Sequence, residues 1–215
     1  MTQLSRRQLG LGVGIAFATA LTVAALAAGQ AHAQARIGAP APAFTATDTT
    51  GKAHSLADFR GRTVVLEWTN HQCPFVVKHY ETGNMQNLQR AAARDGVVWL
   101  TIVSSAPGKP GHVSAAEANG LTASRNAAPA AKILDPSGTI GRAYGARTTP
   151  HMYIINPQGN LVYAGAIDNN PRRGGATVAG ATNYVTQALG ELKAGKPVSQ
   201  PVTQAYGCPV KYAAS

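Results

Sequence analysis

Cysteine is scarce in this chain of 215 residues, which contains only Cys73 and Cys208. A secreted scaffold that depends on disulfides for its stability would need more cysteines at this length. The length itself is sufficient for one domain with a buried hydrophobic core, so the fold does not require covalent support. The two cysteines therefore favour a chemical role, either as a permanent or cycling disulfide or as two free thiols.

Acidic residues are also few, because nine aspartates and glutamates stand against 19 lysines and arginines, a formal net charge of +10. The cationic residues are dispersed, and the densest pair beyond the N-terminal region is Arg172–Arg173. The sequence places neither a basic helix nor a ladder of aromatic residues beside that pair, which argues against nucleic-acid binding. We expect a basic surface that mildly attracts acidic partners.

Only one apolar run approaches membrane-spanning length, and it covers residues 9–28. Arg6–Arg7 precede it, and Ala31–Ala33 follow it with the small-x-small pattern of signal peptidase sites. We therefore expect a twin-arginine-type signal peptide at 1–33, cleavage before Gln34 and export to the periplasm or beyond, without a stable membrane anchor. An uncleaved anchor is the alternative, and the general export route stays open. Cleavage removes two cationic residues and no acid, which lowers the formal charge from +10 to +8.

Strands and helices alternate along the rest of the chain. The predicted strands cover 64–68, 97–103, 132–134, 152–155 and 161–166. The predicted helices cover 75–94 with a break at Gly83–Asn84, 114–126 behind a capping box, a short segment ending at Tyr144, and 183–194. This order predicts an α/β sandwich with a mixed central sheet flanked by helices. We assign a domain to 34–195, beginning with an N-terminal extension, and a C-terminal tail to 196–215.

Cys73 lies where a buried strand gives way to a helix. Pro74 follows it, and proline is favoured at the first position of a helix. Backbone N–H groups and the positive end of the helix dipole then stabilise the thiolate of Cys73, which is the nucleophilic form. His71 adds to this effect if it is protonated. The alternative is a buried structural cysteine, which fits the polar neighbours poorly.

The segment Trp68–Val76 resembles the active-site turn of the thioredoxin superfamily, in its redoxin branch of alkyl hydroperoxide reductase and thiol-specific antioxidant proteins. The peroxiredoxin-like resemblance extends to Ile37–Phe44, to Thr148–Pro150 and to Asp168. It implies a thioredoxin-like sandwich and a thiol oxidoreductase that uses no cofactor.

The resemblance also implies roles for individual residues. Cys73 matches the attacking cysteine, and Glu67 matches the buried acid that moves a proton during disulfide exchange. Thr149 and Pro150 match the cis-proline loop that binds extended substrates. A paired, purely structural carboxylate is the alternative for Glu67, since a buried acid requires a partner or a function.

Two departures from the family pattern leave the substrate open. Val76 stands where thioredoxins have their second cysteine, and Asn70 stands where peroxiredoxins have a threonine. The substrate is therefore a disulfide or a hydroperoxide, and an external thiol is the expected reductant. Cys208 is the expected resolving cysteine, because a flexible tail brings it to Cys73 at a small additional entropic cost. A static Cys73–Cys208 disulfide and an unpaired Cys208 are the alternatives.

A soft-metal site is a weaker candidate. His71, Cys73 and His79 could gather copper, but one sulfur and dispersed histidines make a poor site, so we expect no metal. The alternative to an enzyme is a binding module of the same fold, in which the two cysteines form a static disulfide or a soft metal is bound.

Overall fold

The computed structural model describes residues 34–214. The strands are β1 (Thr45–Thr47), β2 (Ala53–Ser55), β3 (Val64–Trp68), β4 (Val98–Val103), β5 (Ala131–Leu134), β6 (Thr148–Thr149), β7 (His151–Ile155), β8 (Leu161–Gly165) and β9 (Cys208–Pro209). The α-helices are α1 (Pro74–Glu81), α2 (Asn84–Arg94), α3 (Ala115–Ser124), α4 (Thr139–Tyr144) and α5 (Tyr184–Lys193). Two short 3-10 helices cover Leu56–Phe59 and Gly175–Thr177.

The signal peptide predicted at 1–33 lies outside the described residues and stays a prediction. None of the helices between residues 34 and 214 combines the length and the apolar character that are needed to cross a bilayer.

Five strands form the central sheet in the order β5–β4–β3–β7–β8. β3 pairs in parallel with β4, and β4 pairs in parallel with β5. β7 runs antiparallel to both β3 and β8. The central strands β3 and β4 are buried along their whole length, which explains why they read as nearly unbroken apolar runs. The predicted mixed sheet flanked by helices is confirmed.

The side chains of β3 alternate between the two faces of the sheet. Val65 belongs to a core cluster that includes residues of α1, α2 and α5. Leu66 and Trp68 belong to the opposite cluster, which includes Ile140 and Tyr144 of α4. The sheet therefore carries a hydrophobic core on each face, and the Cys73 turn emerges at the end of its middle strand.

Local signals in the sequence set two helix boundaries. Gly83 adopts φ +74° at the N-cap of α2, so the predicted helix over 75–94 is divided there. Ser114 and Glu117 form the predicted capping box at the start of α3, with each side chain accepting from the other residue's backbone N–H.

The tail is paired with the domain, although its polar, proline-rich sequence suggested a flexible segment. β9 runs antiparallel to β6, and Val202 forms a parallel bridge with Ala164 of β8. The backbone N–H of Val210 donates to the carbonyl of Arg147 at 2.9 Å. Free edges of β-strands provide the partners that the backbone groups of such a segment require. The division between domain and tail at 195/196 stays a prediction.

Candidate active site

Asn70 shapes the turn that precedes Cys73. Its Oδ1 accepts from the backbone N–H of Gln72 at 2.9 Å, and its Nδ2 donates to the carbonyl of Pro110 at 3.1 Å. The backbone N–H of Cys73 donates to the Asn70 carbonyl at 3.0 Å. Gly111 makes room for this arrangement, because a Cβ there would lie 2.3 Å from Asn70 Cγ. Asn70 thus positions the cysteine.

Cys73 is the N-cap of α1 and Pro74 follows at the start of the helix, as predicted. The Cys73 carbonyl accepts from the backbone N–H groups of Val76 and Val77 at 2.9 and 2.8 Å. The side chain makes no capping hydrogen bond, and its Sγ is bonded to Cys208. The position at the positive end of the helix is confirmed, whereas the expected N–H donation to the sulfur is not observed in the disulfide.

Cys73 and Cys208 form a disulfide between residues 135 positions apart, with 5.9 Å between their Cα atoms. Both cysteines of the chain are used, so Cys208 is not unpaired in this structure. Cys73 is only 2% exposed, because the tail covers it. A resolving Cys208 and a static Cys208 would both form this disulfide, so the role of Cys208 stays a prediction.

The Thr149–Pro150 peptide bond is cis, as the resemblance implied. The Thr149 carbonyl oxygen lies 3.0 Å from Cys73 Sγ, which places the loop directly beside the sulfur. Cys208 pairs with Thr149 across the β6–β9 ladder. The edge expected to bind substrate is therefore occupied by the chain's own tail.

Glu67 lies in the middle of β3 and is fully buried. Its carboxylate accepts hydrogen bonds from Tyr80 Oη at 2.8 Å, Trp99 Nε1 at 2.8 Å, Gln89 Nε2 at 3.2 Å and Thr101 Oγ1 at 3.3 Å. These donors satisfy the oxygen atoms of the buried carboxyl group, as the structural alternative requires. None of the four bonds reaches Cys73, so a role in proton transfer stays a prediction.

His71 is unsuited to act as a cation at neutral pH. Partial burial lowers its pKa below the ordinary value, and the nearby charges of Arg125 and Lys132 lower it further. Its backbone carbonyl accepts from the Arg125 guanidinium at 2.7 Å. The lowered pKa therefore argues against the protonated form of His71, on which its supporting role depended.

The three residues considered for a soft metal are not gathered into a site. Cys73 is oxidised, and His79 bonds to Asn84 and Tyr206 through its two ring nitrogens. Among residues 34–214, no group of three or more histidine, cysteine and acidic side chains is arranged to hold a metal ion.

Sequence reasoning missed a buried polar cluster beneath the tail. Its members are Lys78, His79, Asp168 and Tyr206. Tyr206 lies two residues before Cys208, and its hydroxyl contacts both His79 and Asp168. The one available signal is the Tyr206-Gly207-Cys208 triplet, which places an aromatic residue and a glycine immediately before the tail cysteine.

The fold and the site define a thioredoxin-like protein with an oxidised cysteine at the start of a helix, beside a cis-proline loop. A family model described as Redoxin matches residues 36–185. The chain belongs to the Redoxin family. This membership and the disulfide place the chain in a family of thiol oxidoreductases. No curated protein matches the sequence.

Several solved structures are similar in fold. A hypothetical protein from Sinorhizobium meliloti 1021 is 23% identical with a TM-score of 0.70, and the match covers 84% of this chain and 96% of that one. An uncharacterized conserved protein from Geobacillus kaustophilus is 24% identical with a TM-score of 0.71, over 84% and 94% of the chains. A proposed protein disulfide isomerase from Bacteroides thetaiotaomicron is 22% identical with a TM-score of 0.53, over 74% and 91%.

Proposed function

We propose that this protein is an exported thiol–disulfide oxidoreductase in which Cys73 is the nucleophile and Cys208 is the resolving cysteine. The observation that carries the proposal is the Cys73–Cys208 disulfide at the N-terminus of α1, beside the loop of Thr149 and Pro150. A thiolate at a helix N-terminus is stabilised by the helix dipole, and the thiolate is the form that attacks.

The reaction proceeds in two exchanges. Cys73 thiolate attacks one sulfur of a substrate disulfide, so that a mixed disulfide forms and one substrate thiolate leaves. Cys208 thiolate then attacks the Cys73 sulfur, which releases the second substrate thiolate and forms the Cys73–Cys208 bond. An external thiol reductant returns both cysteines to the reduced state. Glu67 is proposed to hold or move a proton during these exchanges, and the Thr149–Pro150 loop is proposed to bind the substrate.

A reduction assay tests the proposal. We expect the reduced protein to accelerate the reduction of insulin disulfides by a thiol, and Cys73→Ser to lose that acceleration. Cys208→Ser is the matched control, because it keeps the nucleophile and should accumulate a mixed disulfide that mass spectrometry detects. Acceleration that survives in Cys73→Ser would contradict the proposal.

Peroxide reduction is a second candidate, because it ends in the same disulfide. Peroxide would oxidise Cys73 to a sulfenic acid with release of water or an alcohol, and Cys208 thiol would then condense with it and release water. The absence of a second cysteine at Val76 favours this candidate. Hydroperoxide consumption with a thiol donor separates the two candidates. If the protein is a peroxidase, it should consume hydroperoxide faster than its Cys73→Ser variant does. If it is not, the two proteins should consume it at the same rate.

A binding module with a static disulfide is favoured by one observation, the burial of Cys73 beneath the paired tail. Equilibration of the purified protein with glutathione at periplasmic redox potentials tests it. A cycling disulfide should open within this range of potentials, whereas a bond that stays closed throughout supports the static module.

Export is proposed from the predicted leader at 1–33. Expression in a bacterial host should yield a periplasmic protein whose N-terminal residue is Gln34. Replacement of Arg6 and Arg7 by lysine should block this processing if the twin-arginine route is used, and should leave it intact if the general route is used.

A further inference from the structure

Tyr206 is held in a pocket beside the disulfide, formed by Phe75, Lys78, His79 and Asp168 and called here the Tyr206 pocket. The ring of Phe75 meets the Tyr206 ring edge to face, with 5.8 Å between the centroids. Lys78 Nζ lies 4.9 Å from the centroid of the Tyr206 ring. The pocket therefore contacts both the ring and the hydroxyl of the tail residue.

The hydroxyl of Tyr206 closes a chain of hydrogen bonds. Asn84 Nδ2 lies 2.9 Å from His79 Nδ1, and His79 Nε2 lies 3.2 Å from Tyr206 Oη. Tyr206 in turn donates to Asp168 Oδ1. These partners assign the neutral tautomer of His79 with its proton on Nε2. A phenylalanine in this pocket would leave His79 and Asp168 without their shared partner.

Lys78 and Asp168 complete the pocket as buried ionisable groups. Lys78 is 1% exposed, and its Nζ donates to the carbonyls of Asn170 and Arg172 at 2.7 and 2.9 Å. Asp168 is 2% exposed, and its Oδ2 has no hydrogen-bond partner. Buried polar groups of this kind discriminate strongly between a side chain that completes their hydrogen bonds and one that does not.

The residue between the tyrosine and the cysteine is restricted as well. Gly207 has φ +139°, and a Cβ there would lie 2.1 Å from the carbonyl oxygen of Thr149. The tail approaches β6 this closely because Cys208 pairs with Thr149 in the antiparallel ladder. Any side chain at this position would push the strand away from the edge.

We propose that the β6 edge and the Tyr206 pocket form a binding site for extended polypeptides that carry tyrosine, glycine and cysteine in succession, with the tail as its resident occupant. The inference rests on the proposed function, and it names the substrate class of that site. Because the docked tail covers Cys73, a substrate polypeptide enters when the disulfide has been reduced and the tail has left. Glutathione contains no tyrosine and does not carry the order tyrosine, glycine, cysteine, so the pocket does not contribute to its reaction.

The test uses a full-length chain with one thiol and without the two side chains that place the tail at the site, Cys208→Ser with Tyr206→Ala. The probe is a peptide of residues 203–211 whose cysteine is activated as a 2-thiopyridyl disulfide. Cys73 thiolate attacks the peptide cysteine, so the new Cys73–peptide bond forms while the bond to the thiopyridyl group breaks. The released thiopyridone carries the electron pair, and its absorbance gives the rate. Peptides with Tyr206→Ala or Gly207→Ala are the matched probes.

We expect the unaltered peptide to react about tenfold to a hundredfold faster than either altered peptide at limiting concentration. Asp168→Asn in the protein should reduce the preference for tyrosine and leave the preference for glycine. Equal rates for the three peptides would overturn the inference. If the double variant does not fold, the same comparison is made with Cys208→Ser alone, where each peptide must displace the tail and the same order of rates is expected.

A small reagent separates this inference from the proposed function. Dithiodipyridine reacts with any accessible thiolate and uses neither the pocket nor the edge. Rapid reaction of Cys73 with this reagent, together with equal peptide rates, would overturn the binding site and leave the nucleophile intact. Reaction no faster than that of an ordinary free thiol would remove the proposed function itself.

Discussion

Cys73 and Cys208 share one bond, but the segments that carry them are held in different ways. Cys73 follows the central strand of the sheet, and its turn is fixed by Asn70 and by the first backbone hydrogen bonds of α1. Cys208 lies in a two-residue strand, with Tyr206 and Tyr212 as side-chain anchors on either side. The first segment belongs to the core, whereas the second is held against it by strand pairing and by side-chain contacts.

The two cysteines can therefore take different roles in disulfide exchange. A nucleophile benefits from a fixed position near the helix N-terminus, whereas a resolving group has to leave while a substrate is bound. We call the segment around Cys73 the core side and the segment around Cys208 the tail side. Substitutions on the core side should lower global stability, whereas substitutions on the tail side should change only the docking of the tail.

The largest effect is expected from Glu67→Gln on the core side. The amide presents an N–H₂ group to donors that now bond to a carboxylate, so we expect a loss of about 2 to 4 kcal/mol in the free energy of unfolding. Urea denaturation measures it. Thr101→Val is the control, because it removes only the donor at 3.3 Å and should cost about 1 kcal/mol. Equal losses in the two variants would contradict the central role of the carboxylate.

Gly207→Ala should affect the tail side next most strongly. The added Cβ would overlap the Thr149 carbonyl, so we expect the equilibrium constant for closing the Cys73–Cys208 disulfide against glutathione to fall about tenfold to a hundredfold. Gly195→Ala is the matched control, since it has φ +69° but no atoms within 4 Å of its Cβ. A similar fall in both variants would assign the effect to backbone strain instead of to the contact with β6.

Acidification should lower the free energy of unfolding through two buried histidines. Burial lowers the pKa of His79 and of His151 to about 4, and these folded values lie below the unfolded value of about 6.5. The unfolded chain therefore binds more protons between pH 6.5 and pH 4, so stability is present above this window and is lost as the pH falls through it. Between pH 7 and pH 5 we expect a loss of roughly 1 to 2 kcal/mol for each histidine.

Urea denaturation at several pH values measures this dependence. His79→Gln should remove less than about half of the slope between pH 7 and pH 5, because His151 and the less strongly shifted His71 still titrate. Stability that is constant or that rises toward pH 5 would show that neither histidine is buried in its neutral form.

The smallest effect is expected from Tyr212→Phe. The lost hydroxyl donates to the Ala146 carbonyl at 2.8 Å, but the ring keeps its contact with the Arg142 guanidinium at 4.6 Å. We expect the disulfide equilibrium to shift less than about tenfold, in keeping with about 1 kcal/mol for one hydrogen bond. Tyr206→Phe should shift it further because two buried groups, His79 and Asp168, each lose the hydrogen bond to the hydroxyl. A larger shift for Tyr212→Phe than for Tyr206→Phe would show that the main anchor of the tail lies after Cys208 instead of before it.

Much of the fold and the position of Cys73 could be predicted because they depend on local chemistry. The apolar run of β3, the proline after Cys73 and the capping box at Ser114 and Glu117 each act within a few residues. Gly83 likewise divides the predicted helix, because glycine can adopt the left-handed backbone conformation that is found there. Such signals depend on backbone geometry and periodic burial, so they were readable without any knowledge of distant contacts.

The placement of the tail depended on the assembled sheet. Cys208 reaches Cys73 across 135 positions of sequence because the edge of β6 offers unpaired backbone groups next to the sulfur. The pocket for Tyr206 combines residues of α1 with Asp168, and it exists only when these segments have packed together. A polar, proline-rich composition does not reveal such a partner, because strand pairing and buried hydrogen bonds are set by tertiary contacts.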